Sequence, residues 1–125
     1  MLEVVAALIA RDDKYLICRR AAHKSNGGLW EFPGGKIEAG ESPEQALFRE
    51  CAEELAVQLQ VGGLLLQTQH SYPHAEICLS LYACTVAAGE PQALEHQEIR
   101  WVSLAEMPAF EFSPADRYFV EQLQK

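Results

Sequence analysis

Basic residues are scarce in this sequence, and it has no long apolar run. Lysine and arginine together number 10 against 18 aspartates and glutamates, which gives a formal net charge of −8. Proteins that bind nucleic-acid polymers neutralise phosphates with clustered cations, so this balance excludes a surface of that kind. No segment approaches the ~20 consecutive apolar residues that a membrane span needs. We therefore expect neither a nucleic-acid polymer nor a membrane as a partner.

The cysteines do not follow the paired spacing of a disulfide framework. No Cys-x-x-Cys pair occurs among the four, which are Cys18, Cys51, Cys78 and Cys84. The last two fall in one strand-like run and would lie roughly 20 Å apart at ~3.3 Å per residue, which is too far for a disulfide. Reduced thiols are typical of intracellular proteins, and we expect a cytoplasmic protein.

Signatures of several other enzyme classes are also missing. The sequence contains no Gly-x-Ser-x-Gly nucleophile elbow and no P-loop. His70 and His74 have a spacing that suits zinc on a helix, but they flank Pro73 in an expected loop and lack a third ligand nearby. A zinc site and a nucleophile-elbow hydrolase are therefore not expected.

Length and composition are those of one globular domain. The chain has 125 residues, of which 49% are hydrophobic and 22% charged. A domain of this size typically buries about two-thirds of its unfolded surface, so its core needs neither disulfides nor a metal. No internal repeat or long linker divides the sequence, and we expect a single domain over residues 1–125.

Apolar patterning and turn residues predict strands in both halves of the chain, and two helices. A capping box at residues 42–45, with Pro43 at the first helical position, starts a helix that runs to about Leu55. Gly62 and Gly63 set the outer limit of its exit, and a second helix starts near Pro114. The expected strands are residues 4–10, 15–20, 29–32, 64–69, 77–86 and 99–102. This order indicates an α/β fold with a mixed sheet between helices.

The first helix concentrates negative charge on one face. Glu50, Glu53 and Glu54 stand at i, i+3 and i+4 and share an arc of roughly 100°. Two carboxylates ~6 Å apart repel by about 3 kcal/mol at an effective dielectric of 20, so the cluster needs solvent, cations or raised pKa values. A solvated acidic face is the simple alternative. The residues expected to face the sheet from the neighbouring arc are Leu47, Phe48, Cys51 and Leu55.

A longer pattern surrounds these carboxylates. It consists of Gly35, Glu41 and the run Arg-Glu-Cys-Ala-Glu-Glu-Leu-Ala-Val over residues 49–57. This pattern resembles the Nudix box, and six of its seven fixed positions match. Ala56 departs from it, because the family has a glycine there and a left-handed helix exit disfavours alanine by about 1 kcal/mol.

The resemblance implies a Nudix hydrolase, an α/β/α sandwich with a mixed β-sheet flanked by helices that uses Mg²⁺ or Mn²⁺. Hard divalent cations prefer carboxylate oxygens and phosphates, which agrees with the acidic helix. The implied metal ligands are Gly34, Gly35, Glu50, Glu53, Glu54 and Glu95. The implied catalytic residues are Glu53, Glu50, Arg49 and Glu95.

Several of these roles stay open at the level of sequence. Glu53 is a ligand or a candidate base, and only one of the two glycine carbonyls need bind the cation. Arg49 is expected to hold Glu41 or Glu53 by a charge-assisted hydrogen bond. Glu95 is a candidate base or extra ligand, and Glu98 is the competing residue beside it.

Residues 29–38 are similar to the segment before the box in MutT-type enzymes, the Nudix nucleoside triphosphate pyrophosphohydrolases. This similarity implies that a small-molecule (d)NTP is cleaved to a nucleoside monophosphate and pyrophosphate, with 8-oxo-dGTP, a damaged nucleotide of the pool, slightly favoured. CTP or dCTP is the near alternative, followed by ADP-ribose or a dinucleoside polyphosphate. A nucleotide-sensing module without activity would be expected to lose a helix carboxylate, and none is lost. The chain is expected to be a monomer or a homodimer.

The resemblance also implies a set of substrate contacts. Phe32 and Tyr72 could stack on a base, and otherwise are ordinary core or rim aromatics. Asp116 stands where MutT has asparagine; an ionised aspartate only accepts hydrogen bonds, which suits the amino group of cytosine or the N–H groups of guanine. A helix cap is its alternative role. The complete expected set is Arg19, Arg20, Phe32, Lys36, Tyr72 and Asp116.

Overall fold

The chain folds into a mixed sheet of seven strands with one helix packed on each face. The structure is a computed structural model and describes residues 1–125. The strands are β1 (Leu2–Arg11), β2 (Lys14–Arg19), β3 (Trp30–Glu31), β4 (Gly34–Lys36), β5 (Gln58–Tyr72), β6 (Ala75–Ala88) and β7 (Glu98–Val102). The helices are α1 (Pro43–Leu55) and α2 (Pro114–Leu123), and a short 3-10 turn covers Met107–Ala109.

Strand β1 lies at the centre of the sheet. It pairs in parallel with β6 from Leu2 to Ile9, and antiparallel with β2 at its end. Val4–Ala6 also pair antiparallel with β4, which places Gly34 and Gly35 directly beside the middle of the sheet. The remaining strands extend the order β3-β2-β1-β6-β5, and β7 pairs with β2. The expected mixed sheet and its two flanking helices are confirmed.

The side chains of β1 alternate between two apolar cores, which explains its nearly continuous apolar sequence. Ala6 and Leu8 face α2, whose Phe119 is fully buried. Val5, Ala7 and Ile9 face α1 on the other side; the residues of α1 in this core are Ala46, Leu47, Cys51 and Leu55. All four cysteines of the chain are free thiols. Neither helix is long and apolar enough to cross a membrane.

Helix α1 begins as the capping box predicts. The Ser42 hydroxyl accepts a hydrogen bond from the Gln45 N–H at 3.1 Å, and the Gln45 side chain accepts one from the Ser42 N–H at 2.8 Å. The prediction that Phe48 faces the sheet is wrong, because this side chain is 45% exposed. At 100° per residue Phe48 lies about 100° from Leu47 around the helix, farther than Cys51 or Leu55.

The β5–β6 hairpin is longer than the sequence predicts. The expected loop at residues 70–76 is reduced to Pro73 and His74, so His70 and Tyr72 lie on β5. The exit from α1 is complete before Gly62 and Gly63, and these glycines lie inside β5 rather than before it. The register shifts between Val61 and Leu64, so these glycines form an irregularity of the kind that glycine often marks within a strand.

Replacing Ala56 with glycine is expected to raise the free energy of unfolding by about 1 kcal/mol. Ala56 ends α1 in the left-handed conformation, at φ 59° and ψ 37°, and its N–H donates to the Ala52 carbonyl. Glycine adopts this conformation without the steric conflict of a Cβ atom, although it also gains entropy in the unfolded chain. Urea unfolding measures the change.

The matched control for this substitution is Ala52→Gly, one turn earlier in the same helix. Ala52 is exposed and has ordinary helical geometry, so glycine there should lower the stability by about 1 kcal/mol. A loss of stability at both positions would contradict the account of the helix exit.

Candidate active site

Two neighbouring cavities lie where β1, β3, β4 and α1 meet. The smaller, of about 190 Å³, is called here the acidic cavity; its lining is Arg20, Ala21, Lys24, Glu31, Gly34, Glu50, Glu54, Glu95 and His96. The larger, of about 400 Å³, is called here the large cavity. Its lining is Leu2, Val4, Val5, Ala6, Arg20, Ser25, Asn26, Glu31, Phe32, Gly34, Gly35, Lys36, Tyr72, His74, Ala75, Ile77, Leu79, Ser113, Ala115 and Asp116. Because Arg20, Glu31 and Gly34 line both, the two cavities share a wall.

Arg49 is the anchor of the acidic helix face, although it lines neither cavity. Its guanidinium donates to both carboxylate oxygens of Glu41, at 2.7 and 2.9 Å, and to Glu50 Oε1 at 2.9 Å. A further bond of 3.1 Å reaches the carbonyl of Lys36. Hydrogen bonds from Arg49, and then from the Glu38 backbone, lower the pKa of Glu41 to about 2. Arg49 therefore ties the loop before the helix to the carboxylate of Glu50.

Glu50 packs its carboxylate directly against the backbone of β4. A Cβ atom at Gly35 would lie 2.5 Å from the Glu50 Cδ, so only glycine leaves room for this arrangement. The neighbouring Gly34 has a φ of 152°, and a Cβ atom there would overlap the carbonyl oxygen of Val5. Both adjacent glycines are thus required: Gly35 leaves room for the Glu50 carboxylate, and Gly34 allows the close pairing with β1.

Glu54 is the buried member of the acidic cluster. Its side chain is 9% exposed, and its Oε1 has no hydrogen-bond partner. Burial, followed by the hydrogen bond with Glu50 and the charges of Glu31, Glu50 and Glu95, raises the pKa of Glu54 to about 10. The helix geometry explains this burial, since Glu54 lies seven residues after Leu47 and therefore only about 20° from it on the helix.

Glu53 lies apart from this cluster. Its side chain is 55% exposed, and its nearest cation is the Arg49 guanidinium at 3.7 Å. It does not line the acidic cavity. Its expected role as a ligand or base stays a prediction.

His96 is a site residue that the sequence did not predict. Its side chain is 6% exposed, and its Nε2 lies 2.9 Å from Glu31 Oε2 and 3.7 Å from Glu54 Oε1. Its Nδ1 is buried without a partner. The one available signal was its position next to Glu95, since a lone histidine in a polar loop carries no periodic pattern.

The expected residues divide into three groups. Those in the acidic cavity are Gly34, Glu50, Glu54, Glu95 and Arg20, and those in the large cavity are Arg20, Phe32, Gly34, Gly35, Lys36, Tyr72 and Asp116. Those outside both are Arg49, Glu53 and Arg19. The Arg19 Nε donates to the Gly28 carbonyl at 2.9 Å, so this side chain holds the loop after β2. Glu98, the competitor of Glu95, pairs with Arg100 at 2.6 Å and lines neither cavity.

The donor set of the acidic cavity fits a hard divalent cation. As they stand, no three aspartate, glutamate, histidine or cysteine side chains converge closely enough to hold an ion. However, the unpartnered Oε1 of Glu54 is a buried acceptor, which is costly unless something satisfies it. Mg²⁺ and Mn²⁺ take carboxylate and carbonyl oxygens, and this cavity offers them from Glu50, Glu54, Glu95 and Gly34.

Asp116 forms part of the inner wall of the large cavity. Its Oδ1 accepts from the Phe32 N–H at 3.2 Å, and its Oδ2 accepts from the Ser113 hydroxyl at 2.6 Å. The alternative that Asp116 caps the helix is wrong, because Ser113 is the N-cap residue of α2 and makes no side-chain capping bond itself. Asp116 instead ties the start of α2 to the backbone that follows β3.

The aromatic residues differ in how freely they face the large cavity. Phe32 is buried against Phe112, with ring centroids 5.5 Å apart. Tyr72 is half-buried near the end of β5, beside His70 and His74 at centroid distances of 4.4 and 6.2 Å. Tyr72 therefore has the more accessible ring of the two expected stacking residues.

The pH dependence of stability is expected to change when Asp116 is replaced with asparagine. Burial raises the pKa of Asp116 from 3.8 to about 7, so the folded state favours the protonated acid. This contribution to stability is complete below about pH 4 and is lost as the pH rises through about 7, since the folded chain must then hold a buried carboxylate. Each unit of the pKa shift corresponds to about 1.4 kcal/mol.

Urea unfolding of both proteins from about pH 4 to about pH 8 tests this expectation. The wild type should lose stability relative to Asp116→Asn as the pH rises, and the difference should level off above about pH 7. A difference that is constant with pH would contradict the raised pKa of Asp116.

Similarity to known proteins extends over nearly the whole chain. Residues 4–122 match the family model described as NUDIX domain. A CTP pyrophosphohydrolase of Escherichia coli K12 is 42% identical over 116 residues, covering 93% of this chain and 86% of that protein. An 8-oxo-dGTP diphosphatase of the same strain is 34% identical over 125 residues, covering 99% of this chain and 97% of that protein. The crystal structure of a MutT Nudix hydrolase from Burkholderia pseudomallei matches with a TM-score of 0.86 at 29% identity, covering 97% of this chain and 96% of that one.

These matches agree with the architecture. Of the expected box, Glu50 and Glu54 line the acidic cavity, and Arg49 holds Glu50 and Glu41 beside it. The sheet with its two flanking helices is the α/β/α sandwich implied by the sequence. By fold and by sequence, the chain is a member of the Nudix hydrolase family.

Proposed function

We propose that the protein is a divalent-metal-dependent pyrophosphohydrolase of nucleoside triphosphates, which releases a nucleoside monophosphate and pyrophosphate. The observation that carries this proposal is the unpartnered, buried Oε1 of Glu54, in an acidic cavity that shares a wall with a larger, partly apolar one. A polyphosphate held by cations at the first cavity can place its base in the second.

The proposed cation ligands are Glu50, Glu54, Glu95 and the carbonyl of Gly34 or Gly35. When bound, Mg²⁺ or Mn²⁺ would neutralise phosphate charge and lower the pKa of an attacking water. Glu50 is oriented by its hydrogen bond from Arg49 and by its contact with Gly35. Glu53, which is exposed on the next turn, is proposed as a further ligand through water or as a base.

Cationic side chains are available for the phosphates. Arg20 and Lys24 line the acidic cavity, and Lys36 lines the large cavity. Arg20 also donates to Glu31 at 3.0 Å and to the Ser25 carbonyl at 2.8 Å, so its guanidinium is held at the shared wall. In our proposal Arg20 contacts the phosphate nearest to the nucleoside, and Lys24 neutralises the leaving pyrophosphate.

The base is proposed to enter the large cavity, between the half-buried ring of Tyr72 and the wall formed by Phe32 and Asp116. Two points favour cytosine: once ionised, Asp116 accepts hydrogen bonds from an amino group, and the relative named CTP pyrophosphohydrolase is 42% identical. A protonated Asp116 could also donate, as asparagine does. The oxidised guanine of 8-oxo-dGTP is therefore the second candidate, supported by the 34% identical 8-oxo-dGTP diphosphatase.

A substrate panel tests this proposal. Hydrolysis with Mg²⁺ is followed by chromatography of the nucleotide products for CTP, dCTP, 8-oxo-dGTP, dGTP, ADP-ribose and diadenosine tetraphosphate, with EDTA as the metal-free control. Triphosphates should give a nucleoside monophosphate and pyrophosphate, whereas ADP-ribose would give AMP and ribose 5-phosphate, and diadenosine tetraphosphate would give AMP and ATP or two ADP. We expect turnover of the triphosphates, with the cytosine nucleotides first, and none after chelation. Activity confined to ADP-ribose, or turnover that survives EDTA, would contradict the assignment.

A further inference from the structure

We propose that His96 is a positioning residue that couples the shared wall of the two cavities to the cation site. Its Nε2–H holds the carboxylate of Glu31 in that wall, beside the inner oxygen of Glu54 that has no partner and is proposed to bind the cation. The inference rests on the proposed function, because it concerns the cation ligand Glu54.

The loop that carries His96 turns this one side chain inward. The flanking Glu95 and Gln97 are exposed, whereas the His96 side chain is 6% exposed. The Gln97 N–H is tied to the Arg19 carbonyl at 2.9 Å, and the Leu94 N–H to the Glu54 carbonyl at 3.2 Å. These two backbone bonds fix the loop on both sides of the imidazole, so its placement between β3 and α1 is built into the fold.

The imidazole stands between two carboxylates but can serve only one of them through Nε2. Glu31 Oε2 lies 2.9 Å from Nε2, within hydrogen-bond distance, whereas Glu54 Oε1 lies 3.7 Å away and has no partner. An ionised carboxylate only accepts, so the hydrogen of this bond belongs to Nε2. Because this hydrogen is donated to Glu31, it is not available to Glu54.

The carboxylate of Glu31 is held by two donors, one at each oxygen. Its Oε1 accepts from Arg20 at 3.0 Å and its Oε2 from His96 at 2.9 Å. Groups that hydrogen-bond the residues around a metal typically change its affinity by 10- to 100-fold when they are removed. Without His96, Arg20 alone holds the Glu31 carboxylate, which can then shift within the wall that it shares with the cation site.

The first experiment measures Mn²⁺ binding alone, by the electron paramagnetic resonance signal of free Mn²⁺, for the wild type and three variants. His96→Leu removes the donor, and we expect about tenfold weaker binding. His96→Gln keeps an N–H close to the position of Nε2, and binding should stay within about threefold of the wild type. His23→Leu, at an exposed histidine that lines neither cavity, is the matched control.

A double-mutant cycle with Glu31→Gln distinguishes positioning through Glu31 from simple packing. If the two residues act as one unit, the double variant should bind Mn²⁺ about tenfold more weakly than the wild type, rather than about a hundredfold. Additive losses, or equal binding by His96→Leu and the wild type, would overturn the inference. Circular dichroism and thermal unfolding without metal show whether each variant folds.

The same data separate this inference from the proposed function. If the wild type does not bind Mn²⁺, the cation site itself is wrong. If the wild type binds and hydrolyses triphosphates but His96→Leu behaves identically in both assays, only the role of His96 is refuted. For His96→Leu we expect turnover to require a higher Mn²⁺ concentration than in the wild type, and kcat to reach the wild-type value at saturating Mn²⁺.

Discussion

Replacing Glu54 with glutamine is expected to lower kcat for triphosphate hydrolysis by about 10³-fold or more. Glutamine has nearly the same shape, but it cannot supply the carboxylate charge that a bound cation needs at this buried position. Divalent cations contribute several kcal/mol to transition-state stabilisation, and each 1.36 kcal/mol corresponds to about a tenfold change in rate. Steady-state kinetics at saturating Mg²⁺, with Mn²⁺ binding as the second readout, measure the loss.

Glu53→Gln is the matched control, because it makes the same chemical change one residue away. The Glu53 side chain is 55% exposed and lies outside the acidic cavity, so we expect a loss at least about tenfold smaller than that of Glu54→Gln. Equal losses would mean that Glu53 enters the site once substrate and metal bind. Wild-type rates for Glu54→Gln with unchanged Mn²⁺ binding would refute the acidic cavity as the cation site.

Gly35→Ala is expected to lower kcat/KM by about 10²-fold while the fold is retained. The added Cβ atom would lie 2.5 Å from Cδ and 2.6 and 2.8 Å from the two carboxylate oxygens of Glu50, so the carboxylate must move. A displacement of ~1 Å at a reacting group can reduce the rate by ~10²-fold. The φ angle at Gly35 is not in the left-handed region, so the backbone tolerates alanine and the effect falls on Glu50.

Gly63→Ala provides the comparison for this prediction. A Cβ atom at Gly63, in the exposed strand β5, would meet no atom within 4 Å. We expect unchanged kinetics for this variant. A similar loss in both variants would indicate a general effect of adding a methyl group, and full activity of Gly35→Ala would show that Glu50 does not need its contact with β4.

The helix that carries the site could be predicted because its signals are local. Ser42, Pro43 and Gln45 begin the helix through contacts within one turn, and the spacing of the glutamates follows from helical geometry alone. The same geometry also predicts the burial of Glu54, because this residue lies next to Leu47 on the helix surface. Considered only as one acidic face, the three carboxylates do not predict this burial.

The parts that could not be predicted depend on contacts between distant segments. Tyr72 lies in a strand because β5 continues alongside β6, and pairing between strands outweighs the local turn preference of the residues around Pro73. His96 enters the site because a loop between β6 and β7 is tied to β2 and to the end of α1. No spacing rule within residues 89–97 contains that information.

The wall shared by the two cavities has a consequence for inhibitor design. Since Arg20, Glu31 and Gly34 line both, a metal-chelating fragment in one cavity and a flat heterocycle in the other would sit side by side against the same three residues. Joining two such fragments through a short linker makes the second binding event intramolecular, at an effective concentration in the millimolar range. A linked compound can therefore be much tighter than its pieces without any new contact to the protein.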